Sequence, residues 1–296
     1  MSAAGIRLAA IRSRTRCAPA SMTSSTLVNR FVPPIALHTP GRTTGRRAAS
    51  TEADMTDTPT VSPETIEALR HVSVATLATA LYKRGLRSQV IQDVRPLKPK
   101  GRNMVGPAFT LRYMPAREDR NQLVEFRNPE HPQRKAIETC PPGCVMVMDS
   151  RKDARAASAG DILVTRLMMR GVEGVVTDGG FRDAMNIGEL DIHSYHHRPS
   201  SPTNLTLNEA IEINVPIGCG DAPVFPGDIL VGDDDSVIVL PAHLANEIAA
   251  EATEMTAYED FAIERVRGGA TIVGLYPATK EENLEAFKEW RAKAGR

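Results

Sequence analysis

The sequence predicts a mixed α/β domain, and three observations predict it. A strand, a helix and a second strand follow one another between residues 143 and 178, the order of a crossover unit. Short apolar runs separated by turn residues crowd the stretch 213–241. A helical pattern of about 25 residues follows from 242, and another closes the chain.

Each element has a local cause. "SPETIEALRHV" opens with Ser62 as an N-cap and Pro63 at the first helical position, where its missing N–H costs nothing. "VATLATALYKRG" predicts a second helix, stopped by Gly85. "GPAFTLRYM" (106–114) is strand-like. Residues 115–136 are polar and charged, and read as a loop or surface helix able to serve as a lid. "GCVMVMD" (143–149) and "GVVTD" (174–178) are short apolar runs of strand length. Between them "GDILVTRLMMRG" carries apolar residues at helical spacing, with Gly171 as its stop. "INVPIGCG", "DILVGD" and "SVIVLP" predict further strands, broken at Pro226-Gly227 and at "DDDS". "AHLANEIAAEATEMTAYEDFAIERV" and "KEENLEAFKEWRAKAGR" predict the last two helices.

Charge is uneven along the 296 residues. Residues 1–51 carry eight arginines, no lysine and no acid. The other 28 basic residues face all 36 acidic ones, so the body carries a net charge of −8, unlike the basic face a nucleic-acid binder needs. The Arg-, Ser- and Ala-rich start has the composition of a mitochondrial transit peptide ending near "GRRAAS". The alternatives are a disordered tail, or a true start at Met55 and a cytoplasmic protein. No run approaches the ~20 apolar residues of a membrane span. Cys17, Cys140, Cys144 and Cys219 form neither a C-x-x-C motif nor a disulfide framework. "HSYHH" offers His193, His196 and His197 without an accompanying acid or cysteine pattern, and reads as surface histidines in a loop.

"TDGGFRD" (177–183) carries the chemistry. Arg182 can hold a carboxylate or enolate oxygen with a fork of donors. Asp183 can hold a hard divalent cation, because magnesium takes one or two protein carboxylates and keeps several waters. Gly179 and Gly180 would supply a tight turn. Upstream, the helix starting at Gly160 offers first-turn N–H groups and the positive end of its dipole to an anion. Each feature has a bland reading as well: a solvated Arg-Asp turn, and an Asp161 that merely favours a helix N-terminus.

Asp161 precedes Arg182 with twenty residues between. This D-x20-R-D pattern, headed by "GDIL" and ended by "DGGFRD", resembles the RraA-like family, as does "PGDILVGDDDSVIVLP" (226–241). That family includes the class II pyruvate aldolases that cleave 4-hydroxy-4-methyl-2-oxoglutarate and the regulator of ribonuclease E activity. The resemblance covers about residues 62–277 and implies a single layered α/β domain, β/β/α or αββα sandwich-like, assembled as a trimer or a hexamer. The organisation expected is a targeting segment or tail over 1–55, read from its composition, a catalytic domain of the RraA-like type over 60–280, and a C-terminal helix over 281–296. The resemblance implies that Gly160, Asp161, Ile162 and Leu163 bind substrate, that Arg182 binds pyruvate and steadies its enolate, and that Asp183 ligates Mg²⁺, Mn²⁺ or another divalent cation. It also implies that Asp161 marks an enzyme, since members acting only as regulators lack it. Glu259 on the long C-terminal helix is the candidate for an acid that the aldolases take from a neighbouring subunit. Two positions depart from the family pattern: Ala157 and Ser236 stand where glycine is usual. Segments 115–136 and 193–204 also differ from those of the compact aldolases.

The function expected is metal-dependent retro-aldol cleavage of a 4-hydroxy-2-oxo acid to pyruvate, with oxaloacetate decarboxylation through the same enolate. A Schiff-base route needs a lysine in an apolar pocket, and every lysine here has polar or charged neighbours. No P-loop or dinucleotide motif follows a strand. The alternatives are an aldolase for a 2-keto-3-deoxy sugar acid, to which Arg151, Lys152 and Arg155 would be suited, and a non-catalytic regulator that binds a protein partner.

Overall fold

The computed structural model describes residues 61–295. The arginine-rich segment, Cys17 and the alternative start at Met55 lie outside them.

Two short helices begin the domain. Helix α1 (Pro63–Leu69) is capped by Ser62, whose Oγ accepts the Thr65 N–H at 3.2 Å. Helix α2 (Val74–Lys83) is capped in the same way by Ser73, at 3.1 Å from the Thr76 N–H. The short strands β1 (Val90–Ile91) and β2 (Arg95–Pro96) lead to β3 (Met104–Pro115), the long central strand. A 3₁₀ turn at Leu123–Arg127 and helix α3 (Pro132–Thr139) form the polar connection that follows. It is part turn and part helix, in line with the sequence reading.

Three strands then run parallel: β4 (Val145–Asp149) pairs with β3 in parallel, and after β5 (Ala157–Ala159) and α4 (Asp161–Met169) the chain returns as β6 (Gly174–Thr177) beside β4. The crossover repeats through β7 (Gly180–Phe181) and α5 (Ala184–Glu189) to β8 (His193–His196), parallel to β6. Each parallel strand is thus followed by a short second one, since β9 (Arg198–Pro199) follows β8. Strands β5, β7 and β9 pair in parallel as a three-stranded sheet beyond the carboxyl ends of β4, β6 and β8.

After a 3₁₀ turn at Asn204–Thr206, β10 (Asn208–Ile213) pairs antiparallel with β3, and β11 (Ile217–Cys219) forms a hairpin with β12 (Ala222–Val224). Strands β13 (Ile229–Gly232) and β14 (Val237–Leu240) complete the main sheet, whose order is β1-β14-β13-β3-β4-β6-β8-β2 with β10 also on β3. Helix α6 (Ala245–Arg267) and helix α7 (Glu281–Ala294) finish the chain, the second packed on the first through Phe261, Phe287 and Trp290.

Strand alternation explains the layering. On β4, Val145 and Val147 face one core while Met146 and Met148 face another. On β14, Val237 and Val239 join the first of these, and Ile238 and Leu240 face α1, α2 and α6. The sheet curls so that the inner faces of its two halves meet each other and the β11–β12 hairpin, and helices cover both outer faces. This is the layered αββα arrangement.

The histidine stretch corrects the sequence reading. His193 and His196 are not surface residues in a loop: they lie on β8 and are 5% and 8% exposed. Strand β8 sits between β6 and β2, so neighbours shield it on both edges. The ring of His196 stacks on Phe181 at 5.6 Å. Only His197 of the three is exposed.

Candidate functional site

The carboxyl ends of parallel strands are where open α/β sheets place ligand crevices, and the principal cavity lies there. Its volume is about 560 Å³, within the range of small-molecule sites.

The near wall is built by the β5–α4 and β7–α5 turns. Gly160 is the N-cap of α4, extended at φ −124° and ψ 179°. Strand β7 runs beside β5, and the Arg182 N–H donates to Ala159 O at 3.0 Å, which pins Arg182 next to Gly160. A Cβ on Gly160 would lie 2.8 Å from Arg182 Cγ and 3.2 Å from Asp183 Oδ2. Only glycine leaves both side chains in place across the opening turn of α4. Asp183 is left-handed (φ 57°, ψ 33°), a conformation that aspartate tolerates better than most residues. It makes no side-chain capping bond to α5. Its carboxylate instead lies 3.3 Å from Arg182 Nε. Both side chains are partly exposed, at 49% and 38%, so this pair adds little to stability and can exchange for a ligand.

Gly179 lies in the bend at Asp178–Gly179 that precedes β7, and neither it nor Gly180 has positive φ. Gly180 is on β7, where a Cβ would fall 2.6 Å from Ser200 Cβ, so its smallness serves close packing of the short strands.

Asp161 is engaged twice: Oδ1 accepts the Ile162 N–H at 2.8 Å and Oδ2 accepts Asn186 Nδ2 at 3.2 Å. The helix N-terminus therefore already holds a carboxylate, its own. The Leu163 and Val164 N–H groups both bond to Gly160 O at 3.1 Å. Ile162, at the mouth, is 79% exposed.

Behind this wall is a buried hydroxyl cluster. Ser158 Oγ lies 2.7 Å from Ser150 Oγ and 2.6 Å from Thr177 Oγ1. Asp178, 1% exposed, accepts the N–H groups of Ser150, Lys152 and Gly220 at 2.7, 3.0 and 3.1 Å. Burial pushes its carboxyl up, and those three donors pull the other way. These bonds tie the end of β6 to the loops after β4 and β11.

The far wall comes from the polar connection and from the turn after β9. Phe126 carries the Arg134 guanidinium over its ring at 4.7 Å, a cation–π contact. Gln133, 2% exposed, donates Nε2 to Ser158 O at 2.5 Å and to Tyr113 Oη at 3.3 Å. Asn204, 3% exposed, completes this side.

Gly160, Asp161, Ile162, Leu163, Arg182 and Asp183 thus converge on one cavity. Glu259 does not line it: on α6 its Oε2 accepts Thr76 Oγ1 at 2.7 Å and its Oε1 accepts Tyr276 Oη at 3.1 Å. Arg151, Lys152 and Arg155 do not line it either. They bond Asn208 and Leu207 O, Asp221, and Asp153 respectively. The cations singled out near the motif are therefore paired elsewhere, and Arg134 is the basic residue of the far wall. Asn186, Gln133, Arg134 and Asn204 carry no motif. The unusual character of 115–136 and 193–204 was the signal pointing to the last three.

Among the described residues, no group of three or more His, Cys, Asp or Glu side chains is arranged to hold a metal. Asp183 offers one carboxylate and Asp161 stands on the same wall. That donor set fits a hard cation that keeps most of its waters and takes further oxygens from substrate. It does not fit the closed nitrogen and sulfur shell of structural zinc.

Fold and cavity together define a layered α/β protein with a small-molecule-sized site beyond the carboxyl ends of its parallel strands. The family model described as RraA-like (Aldolase/RraA) matches residues 74–239, and the chain belongs to the RraA-like family. It is 32% identical over 171 residues to a Halalkalibacterium halodurans protein named "Putative 4-hydroxy-4-methyl-2-oxoglutarate aldolase", covering 57% of this chain and 75% of that one. Streptomyces coelicolor RraAS2, described as an unusual member of the RNase ES inhibitor RraA family, superposes with a TM-score of 0.60 at 29% identity, covering 68% of this chain and 96% of that one. An uncharacterized Pseudomonas syringae protein superposes at 0.62 with 22% identity, over 73% and 98% of the two chains, a likeness of fold alone. Among the described residues, no helix is long and apolar enough to cross a membrane.

Proposed function

We propose that the protein is a lyase that cleaves a 4-hydroxy-2-oxo acid to pyruvate by a retro-aldol reaction, and that the same cavity decarboxylates oxaloacetate. One observation carries this reading: Arg182 and Asp183 both stand within about 3 Å of the position a Cβ on Gly160 would take, facing the first turn of α4. A guanidinium, a carboxylate and a helix N-terminus then address one small volume.

The substrate carboxylate takes the Ile162 N–H at the positive end of the α4 dipole and displaces the Asp161 carboxylate from it. Asp161, still held by Asn186, is then placed to accept the C4 hydroxyl proton, directly or through one water. The C3–C4 bond breaks, the electron pair passes into the pyruvate enolate, and protonation at C3 gives pyruvate. Arg182 places fixed positive charge beside the oxygen on which negative charge develops. A divalent cation on Asp183, magnesium or manganese, would supply Lewis-acid polarisation of the 2-oxo group. Glu259 is proposed to act on the cavity of another subunit in a trimer or hexamer, which requires release from Thr76 and Tyr276.

The test is pyruvate release from oxaloacetate with and without Mg²⁺. We expect metal-dependent release that Asp183→Ala abolishes. No metal-dependent pyruvate from any 4-hydroxy-2-oxo acid or from oxaloacetate would overturn the lyase reading. It would favour a partner-binding protein, the reading to which the name of the Streptomyces relative points.

A further inference from the structure

We propose that residues 117–130 form a lid that closes over the cavity once ligand is bound, seating Leu123 against Ile162 and shutting water out of the site. The choice of ligand rests on the lyase reading above; the hinged segment does not.

The segment is bonded only to its own base. Among the described residues, every hydrogen bond and ion pair of residues 117–130 ends between 117 and 135. None of residues 116–130 is buried, and none joins a hydrophobic cluster of the body. Phe126 makes ring contacts with Arg134 at 4.7 Å and with His131 at 5.3 Å, and both partners stand where the segment rejoins α3. The two ends are fixed. The Ala116 N–H donates to Leu207 O at 2.9 Å, and Ala136 and Ile137 of α3 lie in the core. A cavity lies on either side of the segment. Leu123 and Phe126 line the principal one. Asp119, Arg120 and Glu125 line a second, of about 490 Å³, against Glu209 and Ala210 of β10. Close-packed contacts leave no such voids, so the segment can swing between firm ends with little loss of contact.

Apolar surface sets the direction of travel. Leu123 is 71% exposed and Val124 51%, and Ile162 on the opening turn of α4 is exposed as well. Leu123 and Ile162 line the same cavity from opposite walls. Closure takes both away from water, which is favourable. The empty site resists closure, because Arg182, Asp183 and Asp161 would lose water with nothing to replace it. A cation on Asp183 and an anion beside Arg182 supply that replacement, so together they bind the closed form more tightly than the open one. With water excluded, the fixed charge of Arg182 acts more strongly on the oxygen where negative charge develops.

Arg117, Arg120 and Arg127 are exposed along the segment and report its state to trypsin. The full-length protein is digested with Mg²⁺ alone, and with Mg²⁺ plus oxalate, a planar dianion shaped like pyruvate enolate, whose occupancy is read by calorimetry. Cleavage within 117–130 is followed by mass spectrometry, and a small peptide substrate reports the activity of trypsin itself. We expect oxalate to slow that cleavage about tenfold or more, the factor by which it must favour the closed form. Leu123→Asp is expected to keep the wild-type melting temperature and to bind oxalate, yet to lose the protection. Its kcat/KM for pyruvate formation should fall about tenfold. Protection that survives Leu123→Asp overturns the lid. So does cleavage that Mg²⁺ with oxalate, or with pyruvate, leaves unchanged. The lyase reading stands or falls separately, on metal-dependent release of pyruvate from oxaloacetate.

Discussion

Arg182 Nε lies 3.3 Å from the Asp183 carboxylate, and both side chains rest against the one position on α4 that has no side chain, Gly160. Two residues adjacent in sequence face the same way because Asp183 is left-handed. In a regular strand, neighbours point to opposite faces.

The close approach makes Gly160→Ala informative. Its Cβ would fall 2.8 Å from Arg182 Cγ and 3.1 Å from Cδ. Arg182 is half exposed and can swing away, so the fold survives while the site loses its guanidinium. We expect kcat/KM for pyruvate formation to fall by about 10²-fold, with a melting temperature within about 4 °C of wild type. Kinetics and thermal unfolding check this together.

Arg182→Lys keeps the charge and loses the fork. Losing a donor aimed at developing oxyanion charge costs about 10²–10³ in kcat. We expect a loss of that order, with a smaller change in KM. An equal fall in kcat/KM carried wholly by KM would assign Arg182 to ground-state binding instead.

Chelation with EDTA is expected to reduce pyruvate formation to background, and added Mg²⁺ or Mn²⁺ to restore it. Asp183→Asn should require far higher metal concentration for the same rate, because a neutral amide is a weaker ligand for a hard cation. Titrating activity against metal concentration separates weaker metal binding from lost chemistry.

Asn186 is a positioning residue: it holds Asp161 Oδ2 at 3.2 Å and has no part in the reaction. Asn186→Ala leaves Asp161 bound only to the adjacent Ile162 N–H. We expect kcat to drop about tenfold, with KM and the melting temperature changing little. A purely structural role would lower the melting temperature and leave kcat in place.

His193 and His196 make the fold sensitive to acid. Burial, first, holds each ring down at about 4 from an ordinary 6.5. Nearby Arg102, Arg70 and Lys100 push His193 further down and Glu173 opposes them, while His197 acts on His196. A lowered folded pKa means the unfolded chain takes up protons first, so stability is full above about 6.5 and is lost as pH falls toward about 4. Each histidine contributes at most about 3 kcal/mol. Denaturant unfolding at about pH 7 and about pH 5 should show a larger loss in the wild type than in His193→Asn. Equal losses would show that His193 does not carry the acid sensitivity.

Much of the fold was legible because it rests on local rules. Ser62 and Pro63, the apolar runs at 145–149 and 174–177, and the long pattern of α6 each state their structure within a few residues. The histidines were misread because burial of β8 depends on β2, some hundred residues away in sequence, closing over its edge. The glycines of "TDGGFRD" also act as spacers, a need set by Ser158 on β5 and by Ser200 just after β9, which the local sequence does not show.

By itself, the sequence determined the alternation that makes two inner sheet faces and two helical layers, and the twenty-residue spacing that carries Asp161 and Arg182 into one family pattern. Hydrophobic periodicity and motif spacing are properties of the covalent chain. Only the tertiary structure decided that Gln133, Arg134 and Asn204 share a wall with that motif, that Lys152 and Arg155 turn to acids elsewhere, and that Asn186 steadies Asp161. Those pairings join residues remote along the chain, and distance in space is set by how the sheet curls and the helices pack.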